Sequence, residues 1–307
     1  MGDSSFPEVP FIREASRRLV RELGVFQGPA KDTSLTQCHI LVELGRTGLL
    51  TIAQLADLLR LDKSTTSRAA KKLERGGMVA PVQNDHDLRQ KPLALTERGR
   101  IKLTELHLRA DRQVEDALKL ARPEQRVTVR QGLNLYAKLL SRARLLGQVR
   151  FREIRPEDNL TLQKIIRACM DEWGVAGDPA AGYYDPELED MHKAYQGKGR
   201  VYYVAERDGL VLGGSGLAPL KNGAADTCEL QRMYLGPEGR GLGIGARLLS
   251  MCLAFAKQSG FGHCYLETMA QAAGARALYE GFGFSRREAT CGQTGHRTCN
   301  TWYLKDL

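Results

Sequence analysis

Apolar positions along the first 147 residues recur at three- and four-residue intervals. Runs at 11–25, 35–45, 51–59, 63–75, 97–121 and 123–146 show this spacing and predict six helices. Ser34 and Asp62 stand where N-caps belong, and Pro123 stands near a helix start. Between the fourth and fifth helices, 78–95 carries two short apolar stretches around the polar turn Asn84, Asp85, His86 and Asp87, which predicts a short hairpin. After 147 the pattern changes. Strands are expected at 149–155, 201–206, 211–218, 227–235, 263–268 and 300–304, with helices at 156–172, 243–259 and 272–280. The chain therefore divides into a helical domain, 1–147, and an α/β domain, 148–307. Leu145, Leu146, Gly147 and Gln148 join them without a Pro- or Ser-rich linker, so the last helix should run almost directly into the first strand.

Composition narrows the class. With 307 residues, 42% hydrophobic and 26% charged, the chain is an ordinary globular protein of about two domains, each long enough for its own core. The longest apolar stretch, near 248–256, is far short of the ~18 residues a membrane span needs, and the first ten residues lack a signal-peptide core. Seven scattered cysteines fit reduced, buried thiols. The expected location is cytoplasmic, with no membrane partner. The net charge of +9 sits entirely in the first half: residues 1–147 hold 26 basic and 17 acidic side chains, and 148–307 hold 19 of each. Either a polyanion binds that half or a basic surface keeps it soluble.

Motifs favour the polyanion. Residues 51–59, the turn Arg60, Leu61, Asp62, and residues 63–75 have the layout of a helix-turn-helix. On the second helix Ser64, Arg68, Lys71 and Arg75 share one face, with Thr65 and Lys72 alongside, while Ala69, Ala70 and Leu73 form the core stripe. Short hydroxyls and an arginine near such a helix start suit base edges and phosphates in the major groove. Downstream, Asp87 and Arg89 in the order Asp-x-Arg precede a strand and then Leu95, Thr96 and Gly99 in the order Leu-Thr-x-x-Gly. These pieces resemble the MarR family of winged-helix regulators over about residues 10–147. The resemblance implies an all-α winged helix-turn-helix with a small β wing. It implies that Arg89 enters the minor groove from the wing tip, that Asp87 holds its guanidinium, and that Lys91 stands on the same wing. It also implies a homodimer formed by the first and last helices, on double-stranded DNA with a near-palindromic site. Cys38 could be an oxidant sensor or a packing thiol.

The strongest chemical signal follows the strand at 227–235. Arg240, Gly241, Leu242, Gly243, Ile244 and Gly245 make a glycine-rich turn that opens a helix, and such a turn offers unpaired N–H groups and a positive helix end to phosphate. A dinucleotide fold also uses Gly-x-Gly-x-x-Gly/Ala, with Glu267 as its ribose acid, but five residues separate Leu235 from Gly241 and the chain left after Glu267 is too short for a doubly wound sheet. The Gly-Lys-Ser/Thr of a P-loop is missing. The turn instead matches Gln/Arg-x-x-Gly-x-Gly/Ala of the GNAT acetyltransferases, and Leu278, Tyr279, Gly283 and Phe284 resemble that family's Leu-Tyr-x-x-x-Gly-Phe helix end.

Membership of that kind implies an α/β GNAT fold with a mixed central sheet, acetyl-CoA as cofactor and N-acetyl transfer to an acceptor amine. By position, the strand segment Met233, Tyr234 and Leu235 would meet pantetheine through its backbone, and the N–H groups of 240–245 would hold the pyrophosphate. Tyr279 would protonate the leaving thiolate, and Glu229 is the candidate general base. The alternative is a non-catalytic acetyl-CoA sensor attached to a transcription regulator. One departure is Ala272, where many members carry Asn. Cys291, His296 and Cys299 lack zinc-knuckle spacing, so no metal is expected. The segment 183–191, with Asp185, Glu187, Glu189 and Asp190, should border the acceptor, where its acids would suit a cationic amine or simply face solvent.

Overall fold

The computed structural model describes residues 6–25, 33–82, 91–175, 183, 185–292, 294–295 and 298–307. The chain splits into two compact units, Met1–Val129 and Arg130–Leu307.

The first unit holds α1 (Val9–Glu22), α2 (Leu35–Thr47), α3 (Ile52–Leu59), α4 (Lys63–Arg75), β1 (Val79–Pro81), β2 (Leu93–Leu95), α5 (Glu97–Lys119) and the start of α6 (Pro123–Gly147). Caps set the helix starts. Ser34 and Thr51 each close a capping box with the glutamine three residues on, and the Asp62 carboxylate accepts the Thr65 N–H at 2.8 Å. The β1–β2 pair is antiparallel, and Leu50 forms an isolated antiparallel bridge with Leu93. Ile40, Leu41, Leu44, Leu55, Leu73 and Val79 form the core. Ala70 and Leu73 are buried in it and Ala69 packs against it, as the helical stripe implied; Thr66 is buried with them, and its hydroxyl donates to the Asp62 carbonyl, which lets a polar side chain face the core.

The Leu-Thr-x-x-Gly sequence has a local physical cause. The Thr96 hydroxyl donates to the Gly77 carbonyl at 2.6 Å and accepts the Gly99 N–H, capping α5 against the hairpin. At Gly99 a Cβ would stand 2.0 Å from the Met78 carbonyl oxygen, so only glycine permits this approach.

In the second unit a seven-stranded mixed sheet runs β3 (Arg150–Glu153), β4 (Val201–Arg207), β5 (Leu210–Pro219), β6 (Thr227–Leu235), β7 (His263–Thr268), β9 (Thr301–Asp306), β8 (Ser285–Arg287). All neighbours are antiparallel except β6 and β7. Helix α7 (Asn159–Glu172) covers one face through Leu162, Ile166 and Met170, while α9 (Ile244–Gln258) and α10 (Ala273–Gly281) cover the other. A four-residue α8 (Met191–Ala194) precedes β4. Alternation along β4 explains the layering: Val201 and Ala205 point to the α9 side, Tyr202 and Val204 to the α7 side.

The boundary between units falls inside α6, ahead of the junction expected at 147. Leu146 packs against Val149, Leu212, Ile244 and Leu248, and this contact ties the end of α6 to the second unit's core. No helix among the described residues is long and apolar enough to cross a membrane.

An ionic cluster closes the sheet edge at β3. Arg152 donates two hydrogen bonds to Asp158, at 2.6 and 2.9 Å, and a third to Glu206 at 2.8 Å, with Asp158 only 3% exposed. Burial works against the Asp158 charge, but the Arg152 hydrogen bonds, the Arg155 N–H and both guanidinium charges outweigh it and hold the carboxyl below its usual range. A depressed folded-state pKa stabilises fully above the ordinary carboxylate value of about 4 and loses that contribution as pH falls through the folded value. Arg152→Leu leaves Asp158 buried without its cation and is expected to destabilise the second unit by about 3 kcal/mol. A urea midpoint unchanged from the native chain would count against this.

Candidate active site and nucleic-acid interface

Helix α4 presents Ser64, Arg68, Lys71, Lys72 and Arg75 to solvent, with Thr65 half-buried beside them. In this structure the start of that face is organised internally. The Ser64 hydroxyl and the Thr65 N–H donate to Asp62 and hold its carboxyl well below the usual range, and Arg68 donates to the Thr65 hydroxyl at 3.2 Å. Lys91 is exposed next to β2. Asp87 and Arg89, the wing-tip pair, lie outside the described residues. Cys38 is half-buried, and burial pushes its thiol up, the direction opposite to that of a reactive thiolate.

The cleft of the second unit arises where β6 and β7, the one parallel pair among the described residues, separate. Strands β6 and β7 are in register at Thr227, Cys228 and Glu229, opposite His263, Cys264 and Tyr265. Beyond Glu229, β7 continues with β9, while β6 stays with β5 and carries a bulge: Gly214 faces Tyr234 and Gly216 faces Gln231. Arg232 in that bulge adopts φ 48°, and the Tyr202 hydroxyl donates to its carbonyl at 3.0 Å. Leu230, Met233 and Tyr234 on one side, and Glu267, Thr268 and Tyr279 on the other, line the opening. No sequence pattern announces this bulge, because a left-handed arginine is held by contacts with Tyr202 and Tyr195 on other elements.

From Leu235 the chain passes a 3-10 turn, Pro237–Gly239, into the glycine turn. Gly241 and Gly243 adopt φ 70° and 89°, and Gly243 is the N-cap of α9 with no side-chain cap. The first N–H groups of α9 are therefore left without intrahelical partners. Arg240 does not reach into the turn with its own charge. Its guanidinium donates to the Leu235 carbonyl at 2.9 Å and to Glu172 at 2.7 and 3.1 Å, with Cys169 Sγ 3.3 Å away. Of the backbone groups assigned to pantetheine, the Leu235 carbonyl is thus engaged within the protein.

Tyr279 lies on α10, buried, with its hydroxyl 3.9 Å from Met233 Sδ. Burial pushes its pKa well above the ordinary tyrosine value, so it stays protonated at neutral pH. The same Met233 side chain would lie 3.0 Å from a Cβ at Gly245, so the helix start, Met233 and the Tyr279 hydroxyl meet at one place.

Glu229 is 2% exposed at the point where the strands part, and it borders the adjoining hollow. Gln231 donates to its carboxylate at 2.6 Å and accepts from the Tyr195 hydroxyl at 3.0 Å, which in turn accepts from Arg232 at 2.8 Å. Glu267, considered in the sequence only as a ribose acid, faces the same space and accepts hydrogen bonds from Tyr265 and Thr294. Cys299 also lines it, its thiol pushed up to about 12 by burial and then by the charges of Glu267 and Glu229.

The segment at 185–191 borders this hollow as expected, but its acids act differently. Asp185 and Glu187 both accept from the Arg232 guanidinium, Glu189 pairs with Arg167, and Asp190 caps α8. Asp185 and Glu187 are committed because Arg232, nearly buried in the bulge, requires counter-charge. Of Cys291, His296 and Cys299, the histidine lies outside the described residues. Ala272 is the N-cap of α10 and makes no side-chain cap hydrogen bond.

Residues 162–284 match the profile of the Acetyltransferase (GNAT) family, and residues 31–90 match that of the MarR family. "Uncharacterized N-acetyltransferase YjgM" of Escherichia coli (strain K12) is 38% identical over 156 residues, 51% of this chain and 93% of the relative. N-acetyltransferase 8B of Rattus norvegicus is 32% identical over 121 residues, 37% of this chain and 54% of the relative. A solved acetyltransferase of the GNAT family from Staphylococcus aureus Mu50 is 21% identical, with a TM-score of 0.46, over 52% of this chain and 99% of that one.

Proposed function

The chain belongs to the GNAT acetyltransferase family and carries a MarR-family segment ahead of that domain, and from this premise we propose that it is an acetyl-CoA-dependent N-acetyltransferase joined to a DNA-binding dimerisation module. The observation that carries the transferase reading is the continuity of the parted β6 with the glycine turn, with the Tyr279 hydroxyl at their junction.

In this reading, acetyl-CoA supplies a thioester carbon open to an amine. The N–H groups of 240–245 hold the pyrophosphate, and the backbone of Met233 and the Leu235 N–H, on the side of β6 turned from β5, receive the pantetheine amides, while the Tyr234 backbone pairs with Gly214. Glu229 takes a proton from the acceptor ammonium through water, and Gln231 keeps its carboxylate aimed. The C–N bond forms as the C–S bond breaks, Tyr279 gives its proton to the departing thiolate, and the second proton shed by the attacking nitrogen returns through water to the tyrosinate. Glu229 and Glu267 make the acceptor side anionic, which supports a cationic amine. The test is calorimetric titration with acetyl-CoA, followed by an amine panel scored for free thiol release. Saturable binding with no release from any amine would favour the sensor reading, and no binding would sink both.

The regulatory half rests on α4 and on two helices with bare apolar faces. Helices α1 and α6 bury no residue, and they expose Phe11, Ile12 and Leu19, and Leu133, Leu139 and Leu140 respectively. Surfaces of that kind are covered by a second copy in the dimer. The dimer reads a near-palindromic duplex, with Ser64, Thr65, Arg68, Lys71 and Lys72 in the major groove and Asp87, Arg89 and Lys91 on the wing. Seven free thiols support a cytoplasmic location. Arg68→Ala is expected to weaken specific DNA binding by about 1–3 kcal/mol, and Lys71→Ala to lower the salt slope by about one. Fluorescence anisotropy across a salt series checks both. If neither variant differs from the native protein, α4 is not the reading helix.

A further inference from the structure

The geometry points to Arg142, on α6, as a further residue of the acetyl-CoA site, binding the pyrophosphate beside Gly241. The inference rests on the coenzyme reading above. A pyrophosphate brings negative charge to the glycine turn, and the turn's own arginine is spent: Arg240 is neutralised by Glu172 and bonded to the Leu235 carbonyl. The N–H groups and helix end supply only partial charges.

Arg142 supplies a full one. Its Nη2 lies 3.8 Å from where a Cβ on Gly241 would stand, beside the open face of the turn. The side chain is half-buried, and no ion pair or hydrogen bond engages it among the described residues. An arginine with no counter-charge beside an anion site is free to donate charge-assisted hydrogen bonds to the anion. Its placement is not accidental to the helix. Leu146, one turn further along the same face, lies 3.6 Å from the Cβ position of Gly243 and packs with Ile244 and Leu248. Leu146 therefore anchors α6 against the start of α9, and Arg142 is held over the neighbouring glycine. Residue 142 precedes the matched stretch 162–284, so this contact belongs to the helix ahead of the transferase domain and to no motif within it.

The test uses the full-length chain, with coenzyme A titrated by calorimetry against the native protein, Arg142→Ala, Arg142→Lys and Arg144→Ala, the last on an exposed neighbouring arginine. Arg142→Ala is expected to raise the coenzyme A Kd about tenfold and to flatten its salt dependence, while kcat at saturating acetyl-CoA is kept. Arg142→Lys should recover part of the loss, and Arg144→Ala should match the native protein. S-acetyl-pantetheine, which has no phosphate, should be used equally well by the native chain and Arg142→Ala. An unchanged coenzyme A Kd for Arg142→Ala overturns the assignment. So does an equal loss toward S-acetyl-pantetheine, which would mean a general disturbance of the cleft. Failure of the native chain to bind coenzyme A at all overturns the coenzyme reading itself, and this inference with it.

Discussion

Gly243→Ala combined with Gly245→Val is expected to abolish saturable acetyl-CoA binding. Gly243 caps α9 at φ 89°, where an L-residue costs about 1–2 kcal/mol, so the turn relaxes toward negative φ and its N–H groups no longer converge. At Gly245 even a Cβ comes within 3.0 Å of Met233 Cε, and a valine's further methyl groups overpack this site by about 1–3 kcal/mol. Met233 then moves off Tyr279 or into the space for pantetheine. At about 1.4 kcal/mol per tenfold, the pair should raise Kd by roughly a hundredfold or more. Gly274→Ala, on α10 with no atom near its Cβ position, is the control and should bind normally. Calorimetry decides the matter, with thermal melting to confirm that each variant folds. Native-like binding by the double variant would remove the glycine turn from the coenzyme site.

Tyr279→Phe is expected to lower kcat by roughly 10²- to 10⁴-fold, with the acetyl-CoA Kd nearly unchanged. The hydroxyl is buried at the junction of β6, α9 and α10, and its hydrogen-bond partner among the described residues is the Met233 thioether, which bonds weakly. Removing it costs the fold little, so the loss should appear in the chemical step. Burial raises the Tyr279 pKa, and the donor works only while protonated. The native kcat should therefore stay level as pH rises past the ordinary tyrosine value of about 10, falling only beyond it. Glu229→Gln should also depress kcat while sparing acetyl-CoA binding, because its carboxylate faces the acceptor hollow. If Tyr279→Phe turns over at the native rate, another group protonates the thiolate.

Much of this architecture was legible from local pattern. Helix α4 begins and ends where the cap at Asp62 and the polar stripe placed it, and β6 and β7 coincide with their apolar runs, because each is decided by its own side chains and near neighbours. Strand β8 was not legible. Its three residues, Ser285, Arg286 and Arg287, are all exposed, and only pairing with β9 makes them a strand. Helix α8 is too short for a helical period to show.

The same distinction governs the site. The glycine turn and Tyr279 were readable because backbone conformation and a helix-end motif are properties of consecutive residues. The Arg232 bulge, the clamp of Arg240 on Glu172, the Tyr195–Gln231–Glu229 chain and the approach of Arg142 to Gly241 join residues from separate elements. The acids at 185 and 187 show the consequence: by sequence they were candidates for a cationic substrate, and the fold spends them on Arg232. Sequence alone determined that this protein pairs a basic helical module with an α/β domain that carries a glycine turn, since periodicity, caps and glycines act over a few residues. Tertiary structure decided which charges remain available to a ligand, because a buried charge must be neutralised by whatever the packing brings within reach.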